Sequence, residues 1–311
     1  MLSVKQIEQF QKDGYLVVKN IFSDKELSLL QDAVDRVVES AHTKEQIERH
    51  TKLETNKFGY SNSGLLPRHL YYNDGGKYIY HRSEGLWKIS PVFQAITVNP
   101  KLLTILGQLI GHRFLPTIDS LVCKVPRYGR PVIWHQDPPY GGQEGDKFSV
   151  THPIPNVISD IYINDSTLEN GCLYGLPGEH LKGHYPIQEG NNHEYFIREL
   201  GAIPIEMEPG DINFHNPSFP HGSGPNNSNK IRSTFYIHWI NKNLFKEYYN
   251  QFEYMHTDGL PGKYTDDGHE FIQEFFSSRK ALGLKNYSDH SKINLDKNGF
   301  KYTGVPRFGI S

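Results

Sequence analysis

The stretch Trp134–Tyr140 reads WHQDPPY. Its His135 and Asp137 stand two residues apart, so on an extended strand both side chains leave the same face. An imidazole and a carboxylate then converge on one point, a donor pair suited to a borderline metal such as Fe(II). A third ligand is needed, and the best candidate is His221, in the segment FPHGSGPNNSNKIRSTFYIHW. Two histidines and one carboxylate on one face of a metal leave three positions open, the facial triad of mononuclear Fe(II) sites. By itself His-x-Asp is weak evidence in a chain with sixteen histidines. A surface turn ahead of Pro138-Pro139 is the bland alternative, so the surroundings must decide.

The segment around His221 has an internal logic. Asp211–His215 (DINFH) reads as a strand, and His221 opens a glycine- and proline-rich turn, GSGPNNSN. The chain returns as IRSTFYIHWI, with Arg232 at the start of that strand. A turn and return strand can bring a guanidinium back beside the metal. Its planar fork pairs with a carboxylate in bidentate fashion, the anchor that a cosubstrate such as 2-oxoglutarate needs. Ser223, two residues beyond His221, offers the same carboxylate a hydroxyl. Thr167–His180 (TLENGCLYGLPGEH) lies between the two halves of this site, with turns at Asn170-Gly171 and Pro177-Gly178 and an apolar strand between them. The remaining histidines, among them His152, His180, His184, His193, His215 and His238, read first as surface or hydrogen-bonded core residues. His215 is the main rival to His221 but lacks the following Gly-Ser and the spacing to the arginine.

Outward from there, the N-terminal part is helical and the middle is β-rich. Ser3-Val4-Lys5-Gln6 and Ser23-Asp24-Lys25-Glu26 read as capping boxes, each opening a helix. Gly14 should end the first helix, and YLVVK (Tyr15 to Lys19) should follow as a strand. Leu27, Leu30, Val34, Val37 and Val38 fall at helical spacing, so the second helix is amphipathic and should cover one face of a sheet. Residues 45 to 95 read as a long aromatic excursion, either packed over the core or forming a wall of the substrate site. A helical pattern returns from Val92 to Ile110, broken at Pro100. Residues 117–125, 156–164, 201–206, 211–216 and 231–240 are short β-rich runs separated by Gly, Pro and Asn clusters, which indicates a sandwich or jelly roll. Helices lead and strands follow, predicting an α+β fold with N-terminal helices packed outside a β core. The expectation is a single domain over residues 1–311, with a β core at about 115–240 and a C-terminal extension at about 241–311. In that extension 271–280 reads as a helix, and Pro261-Gly262 and 299–309 as loops.

Composition sets the bounds. The chain has 311 residues, 37% hydrophobic and 13% aromatic, so it folds around a sizeable core. A net charge of -2 gives no electrostatic case for nucleic acid or an anionic membrane. Cys123 and Cys172, the only two cysteines, read as buried thiols rather than a disulfide framework. No apolar run approaches a membrane span and the N-terminus lacks a signal peptide's apolar core, so the expected setting is cytoplasmic. The sequons at Asn164, Asn226 and Asn286 are then chance matches.

HQD, the NGCL…LPGEH segment, and HGSGPN with an arginine eleven residues after its histidine together resemble the phytanoyl-CoA dioxygenase family of Fe(II)/2-oxoglutarate-dependent oxygenases. The start, YLVVKNIFSDKEL and the helices around it, is also similar. The resemblance covers roughly residues 5 to 40 and 115 to 240. It implies a double-stranded β-helix (a jelly roll, cupin-like), with His135, Asp137 and His221 as iron ligands. It implies that Arg232 and Ser223 hold the far carboxylate of 2-oxoglutarate and that Lys124 lies near that cosubstrate. The implied reaction consumes O2 and 2-oxoglutarate, releases succinate and CO2, and oxidises an unactivated C–H bond of a small molecule. Asp137 favours hydroxylation, or desaturation or ring chemistry if rebound is diverted, because halogenating relatives lack this carboxylate. Two rival readings remain, a Zn(II) hydrolase using the same triad to activate water and a non-catalytic jelly-roll binding module. The chain also departs from the family pattern: Glu179 stands where the family has serine, in PGEH, and a distinctive segment runs from Pro138 to Pro155. That segment, with Tyr140, should bear on substrate choice, so a phytanoyl-CoA substrate is not implied. Asp160 and Tyr162 share one strand face; Asp160 reads either as a contact for a polar or basic substrate group or as a solvated edge residue. The sequence leaves the oligomeric state open.

Overall fold

The computed structural model describes residues 1–43, 60–62, 67–111, 113–137, 156–182, 193–241, 266–285, 293–296 and 299–304. Helix α1 (Val4–Asp13) opens with a capping box. Gln6 donates its backbone N–H to Ser3 Oγ, and Ser3 donates its own to Gln6 Oε1 at 2.9 Å. Gly14 closes the helix in the left-handed region (φ 83°), where a side chain would be strained, and donates its N–H to Phe10 O. A Cβ here would also meet the His180 ring at 2.4 Å. That ring accounts for the end of the LPGEH segment: it docks against α1, its Nε2 3.2 Å from Gln11 O, while Glu179 pairs with Lys182 at 2.7 Å.

Strand β1 (Tyr15–Val18) leads to α2 (Asp24–Ala41), whose capping box uses Ser23 and Glu26. Helices α3 (Pro91–Thr97) and α4 (Pro100–Ile110) each begin at a proline, whose missing N–H costs nothing in the first turn. Asn99 caps α4 by accepting the N–H groups of Lys101 and Leu102.

The strands form two sheets. The larger contains β1, β2 (Tyr60–Asn62), β3 (Arg68–Asp74), β4 (Lys77–Glu84), β5 (Arg113–Lys124), β7 (Asn156–Tyr162), β10 (Ile212–His215) and β12 (Arg232–Asn241). Their order is β1-β10-β7-β12-β5-β4-β3-β2. The smaller contains β6 (Val132–His135), β8 (Leu173–Gly175), β9 (Ile203–Ile205) and β11 (His221–Ser223), in the order β6-β11-β8-β9. Neighbours along both orders pair antiparallel. Two such sheets with helices outside the larger one are the expected jelly roll.

Strand alternation divides the larger sheet's faces. On β12, Phe235, Ile237 and Trp239 join the main hydrophobic core with the helices, and Phe235 lies 4.9 Å from Phe93 of α3. Arg232, Thr234, Tyr236 and His238 occupy the opposite face, toward the smaller sheet. Helix α5 (His193–Arg198) packs on the smaller sheet, Phe196 4.2 Å from Trp134 of β6, and the described C-terminal residues belong to the main core. Helix α6 (Asp266–Ala281) sets Phe275 5.6 Å from Trp87, and β14 (Gly299–Tyr302) pairs with the first part of β5 while β13 (Ile293–Asp296) pairs with β14. Arg279 of α6 reaches Glu26 of α2 at 2.6 Å, both buried.

Three expectations need correction. Residues 68–84, read as part of an excursion, are a β-hairpin that extends the larger sheet, turning at Asn73-Asp74-Gly75-Gly76 with both glycines at positive φ. Residues 299–302, read as loop, are strand β14. His221, placed at the start of a turn, lies in β11, bonded to β6 on one side and β8 on the other. Pro261-Gly262, Tyr140 and the rest of the 138–155 segment lie outside the described residues. Cys123 and Cys172 are free and buried. No helix among the described residues is long and apolar enough to cross a membrane.

Candidate metal centre

The smaller sheet assembles the triad. Antiparallel pairing of β11 with β6 puts His221 opposite His135, their ring centroids 4.3 Å apart. Asp137 follows just past β6, held by its N–H to Pro217 O at 2.9 Å. One donor atom from each of His135, Asp137 and His221 lies within 4.8 Å of the others. The carboxylate oxygens of Asp137 are 3.7 Å from His135 Nε2 and 3.7 Å from His221 Nε2.

The tautomers follow from the backbone. His135 Nδ1 is 2.8 Å from Ile133 O and His221 Nδ1 is 2.8 Å from Phe219 O. A carbonyl only accepts, so both Nδ1 atoms carry the proton and both Nε2 lone pairs face Asp137, the arrangement that orients a metal-binding imidazole. Burial pushes His221 down to about 3, leaving it neutral at neutral pH. Burial also raises Asp137, but the imidazoles of His221, His135 and His215 outweigh it and hold the carboxyl at about 2. At neutral pH His221 is thus a neutral imidazole and Asp137 a carboxylate, the form a divalent cation requires of each.

His215, the rival ligand, is fully buried behind the triad, Nε2 3.6 Å from Asp137 Oδ2 and Nδ1 3.8 Å from Asp160 Oδ2. Asp160 is neither solvated nor in the cavity wall. It is 1% exposed on central strand β7 and accepts a hydrogen bond from Asn213 at 3.0 Å.

A cavity of about 360 Å³ opens against the triad, its far wall formed by the larger sheet. His135, Asp137, His221, Ser223 and Arg232 all line it. Arg232 is 2% exposed, its guanidinium carbon 5.4 Å from the Tyr162 ring centroid, and its Nε has no hydrogen-bond partner. A buried guanidinium with an unpaired donor is costly unless a ligand anion completes it. Two imidazoles with their Nε2 atoms turned to a carboxylate on one side, and this orphaned donor on the other, fit a divalent iron with a dicarboxylate cosubstrate. Lys124 stands directly opposite Arg232 across β5 and β12 and is completely buried. Its ammonium donates to the carbonyls of Gly224 and Arg130, and burial, then Arg232, pushes its pKa well down. Tyr162 supports Arg232 from beneath rather than lining the cavity.

Among the polar residues of the cavity wall, sequence reasoning gave no site role to His81 and Arg82 of β4, to Gln136 within the triad segment, or to Tyr236 and His238 of β12. The signal for the last two was present, since both share Arg232's parity along IRSTFYIHWI.

Comparison with known proteins agrees with this geometry. The family model described as Phytanoyl-CoA dioxygenase (PhyH) matches residues 10–234. "Phytanoyl-CoA dioxygenase domain-containing protein 1" of Mus musculus is 25% identical over 271 residues, covering 76% of this chain and 89% of that protein. Among solved structures, EctD from S. alaskensis with 2-oxoglutarate and 5-hydroxyectoine superposes with a TM-score of 0.59 at 17% identity, over 78% of this chain and 77% of that one. EvdMO1 gives a TM-score of 0.55 at 24% identity over 76% of this chain, which spans 49% of EvdMO1's length.

Proposed function

Because the chain belongs to the phytanoyl-CoA dioxygenase family and is a non-haem iron and 2-oxoglutarate-dependent oxygenase, we propose that it hydroxylates an unactivated C–H bond of a small molecule. Succinate and CO2 are the co-products. The observation that carries this reading is the convergence of three donor atoms within 4.8 Å on one wall of a cavity whose other wall holds the unpaired Nε of Arg232. In this reading His135, Asp137 and His221 hold Fe(II). Arg232, with the Ser223 hydroxyl, holds the far carboxylate of 2-oxoglutarate, and Lys124 braces the Gly224 turn beside it. Bound iron supplies the O2-dependent oxidation, fuelled by decarboxylation of the cosubstrate. The chain's own part is to fix the imidazole tautomers, keep Asp137 ionised, and orient the cosubstrate through the Arg232 fork. The apolar wall from Val122, Ile158 and Leu173 excludes water from the reacting C–H bond.

A Zn(II) hydrolase would use the same three ligands but would leave the buried Arg232 without an anion. A binding module would have no use for an intact donor set with both imidazole Nε2 atoms turned to the carboxylate. The remaining parts of the reading, one domain over 1–311 and a cytoplasmic setting, rest on the sequence. Anaerobic titration of the apoprotein with Fe(II) and then 2-oxoglutarate tests the proposal through the visible charge-transfer band of the chelate. The band should form in the wild type, vanish in His135→Ala, and demand far more cosubstrate in Arg232→Ala. A folded, metal-loaded wild type with no band overturns it.

A further inference from the structure

The cavity contains a second cationic group that the iron and cosubstrate do not use. Arg82 lines it from β4, in register with Val122 of β5, itself in register with Thr234 of β12. Its Nε lies 2.9 Å from Glu84 Oε1 but without hydrogen-bond geometry. The other oxygen of that carboxylate accepts from Arg68. The Arg82 guanidinium is thus ion-paired with Glu84 but makes no hydrogen bond among the described residues. Two neutral donors share the wall, the Tyr236 hydroxyl and the His238 ring, two residues apart on one face of β12. Neither makes a side-chain hydrogen bond among the described residues. Burial raises Tyr236 to about 12, so the phenol keeps its proton, and burial holds His238 at about 4, so the ring is neutral. His81 and Gln136 also reach the wall, and its apolar part comes from Val122, Val132, Ile133, Ile158 and Leu173.

We infer that the substrate is a small carboxylic acid with a hydrocarbon body, its carboxylate bound by Arg82, Tyr236 and His238 and its aliphatic part lying between there and the triad. This rests on the oxygenase reading for the meaning of the triad, but the binding claim stands on the cavity alone. Glu84 is shared by Arg68 and Arg82, so this group of three carries one positive charge in excess. That excess matches one negative charge, and the planar fork of Arg82 matches a carboxylate. The cavity of about 360 Å³ sits at the low end of the usual range for ligand pockets and is shared with the cosubstrate at Arg232 and Ser223, which favours a compact substrate.

The test uses the full chain, anaerobic, loaded with Fe(II) and 2-oxoglutarate, so that binding proceeds without turnover. Cyclohexanecarboxylate and its neutral isostere cyclohexanecarboxamide are titrated by calorimetry into the wild type, Arg82→Gln and Tyr236→Phe. The carboxylate should bind the wild type more tightly than the amide. In Arg82→Gln it should lose about tenfold to a hundredfold, the size of one charge-assisted contact, and in Tyr236→Phe a smaller factor, with the amide unchanged in both. Tyr236→Phe removes a single oxygen and guards against a folding artefact at Arg82. The inference is overturned if the wild type binds both probes alike or neither. It is also overturned if Arg82→Gln raises the demand for 2-oxoglutarate while leaving the probe ratio untouched, which would reassign Arg82 to the cosubstrate. If the chelate band never forms in the wild type, the oxygenase reading fails, yet the carboxylate-to-amide ratio still reports on Arg82.

Discussion

At the scale of single residues, Arg232 and Asp119 show how burial makes one charge useful and another costly. Arg232 offers a fork, and its value lies in that geometry as much as in its charge. Arg232→Lys keeps the charge but loses the bidentate match, so cosubstrate affinity should fall about tenfold to a hundredfold. Fe(II) binding measured before cosubstrate is added should be unchanged. Asp119 sits on the core-facing side of β5, 3% exposed, accepting the Trp87 N–H at 2.9 Å. Burial outweighs its hydrogen bonds to the 85–87 backbone and pushes its carboxyl up to about 6 from an ordinary 3.8. The folded state therefore binds this proton more tightly than the unfolded chain. The stability it contributes is full below about pH 4 and is lost as pH rises through 6. Urea unfolding of wild type at pH 4.5 and 7 should show a drop that Asp119→Asn reduces by about 2 kcal/mol. The triad and Arg232 were legible in the sequence because their logic is local: an i, i+2 pair, and a turn that returns. Arg82, Tyr236 and His238 were not, because which face of a strand looks inward is fixed only by its partners.

At the scale of elements, the two N-terminal capping boxes were written plainly in the chain, but only the structure shows the second use of one of them. Glu26 closes the cap on Ser23 through Oε2, 2.8 Å from both the Ser23 N and Oγ. Its Oε1 meets Arg279 at 2.6 Å and Asn99 Nδ2 at 2.8 Å. One side chain thus joins α2, the start of α4 and α6. Removing it uncaps a helix and leaves a buried guanidinium uncompensated, so Glu26→Ala should lower the unfolding free energy by about 3–5 kcal/mol, read by urea denaturation. The pairing of Glu26 with Arg279 spans more than two hundred residues, and no local pattern announces it. The 68–84 hairpin was hidden for another reason. Its strands are rich in tyrosine and in charge without a clean apolar alternation, and only the Asn-Asp-Gly-Gly turn marked it.

At the scale of the whole molecule, the smaller sheet and the residues just past it supply the triad and the larger sheet supplies Arg232, so a loaded site would tie the two sheets together. Any ligand that binds only the folded chain stabilises it by mass action. Co(II) with 2-oxoglutarate, each at a hundredfold excess over its dissociation constant, should raise the unfolding free energy by at least about 2.7 kcal/mol. A chelator should abolish the gain, and His221→Ala should show none. The jelly-roll architecture and the helical layer outside it were readable as texture. The tethering of the C-terminal segment was not, because β14 joins a strand nearly two hundred residues earlier in the chain. The alternation of β12 carries a last consequence. Its odd and even residues belong to different worlds, Phe235, Ile237 and Trp239 to oil and Arg232, Tyr236 and His238 to chemistry. Inserting one residue near the start of that strand would turn the enzyme inside out, sending its aromatic rings into the active site and its cationic and polar groups into the core. Evolution can vary this protein's turns in length, but through β12 it can only spell the same number of letters differently.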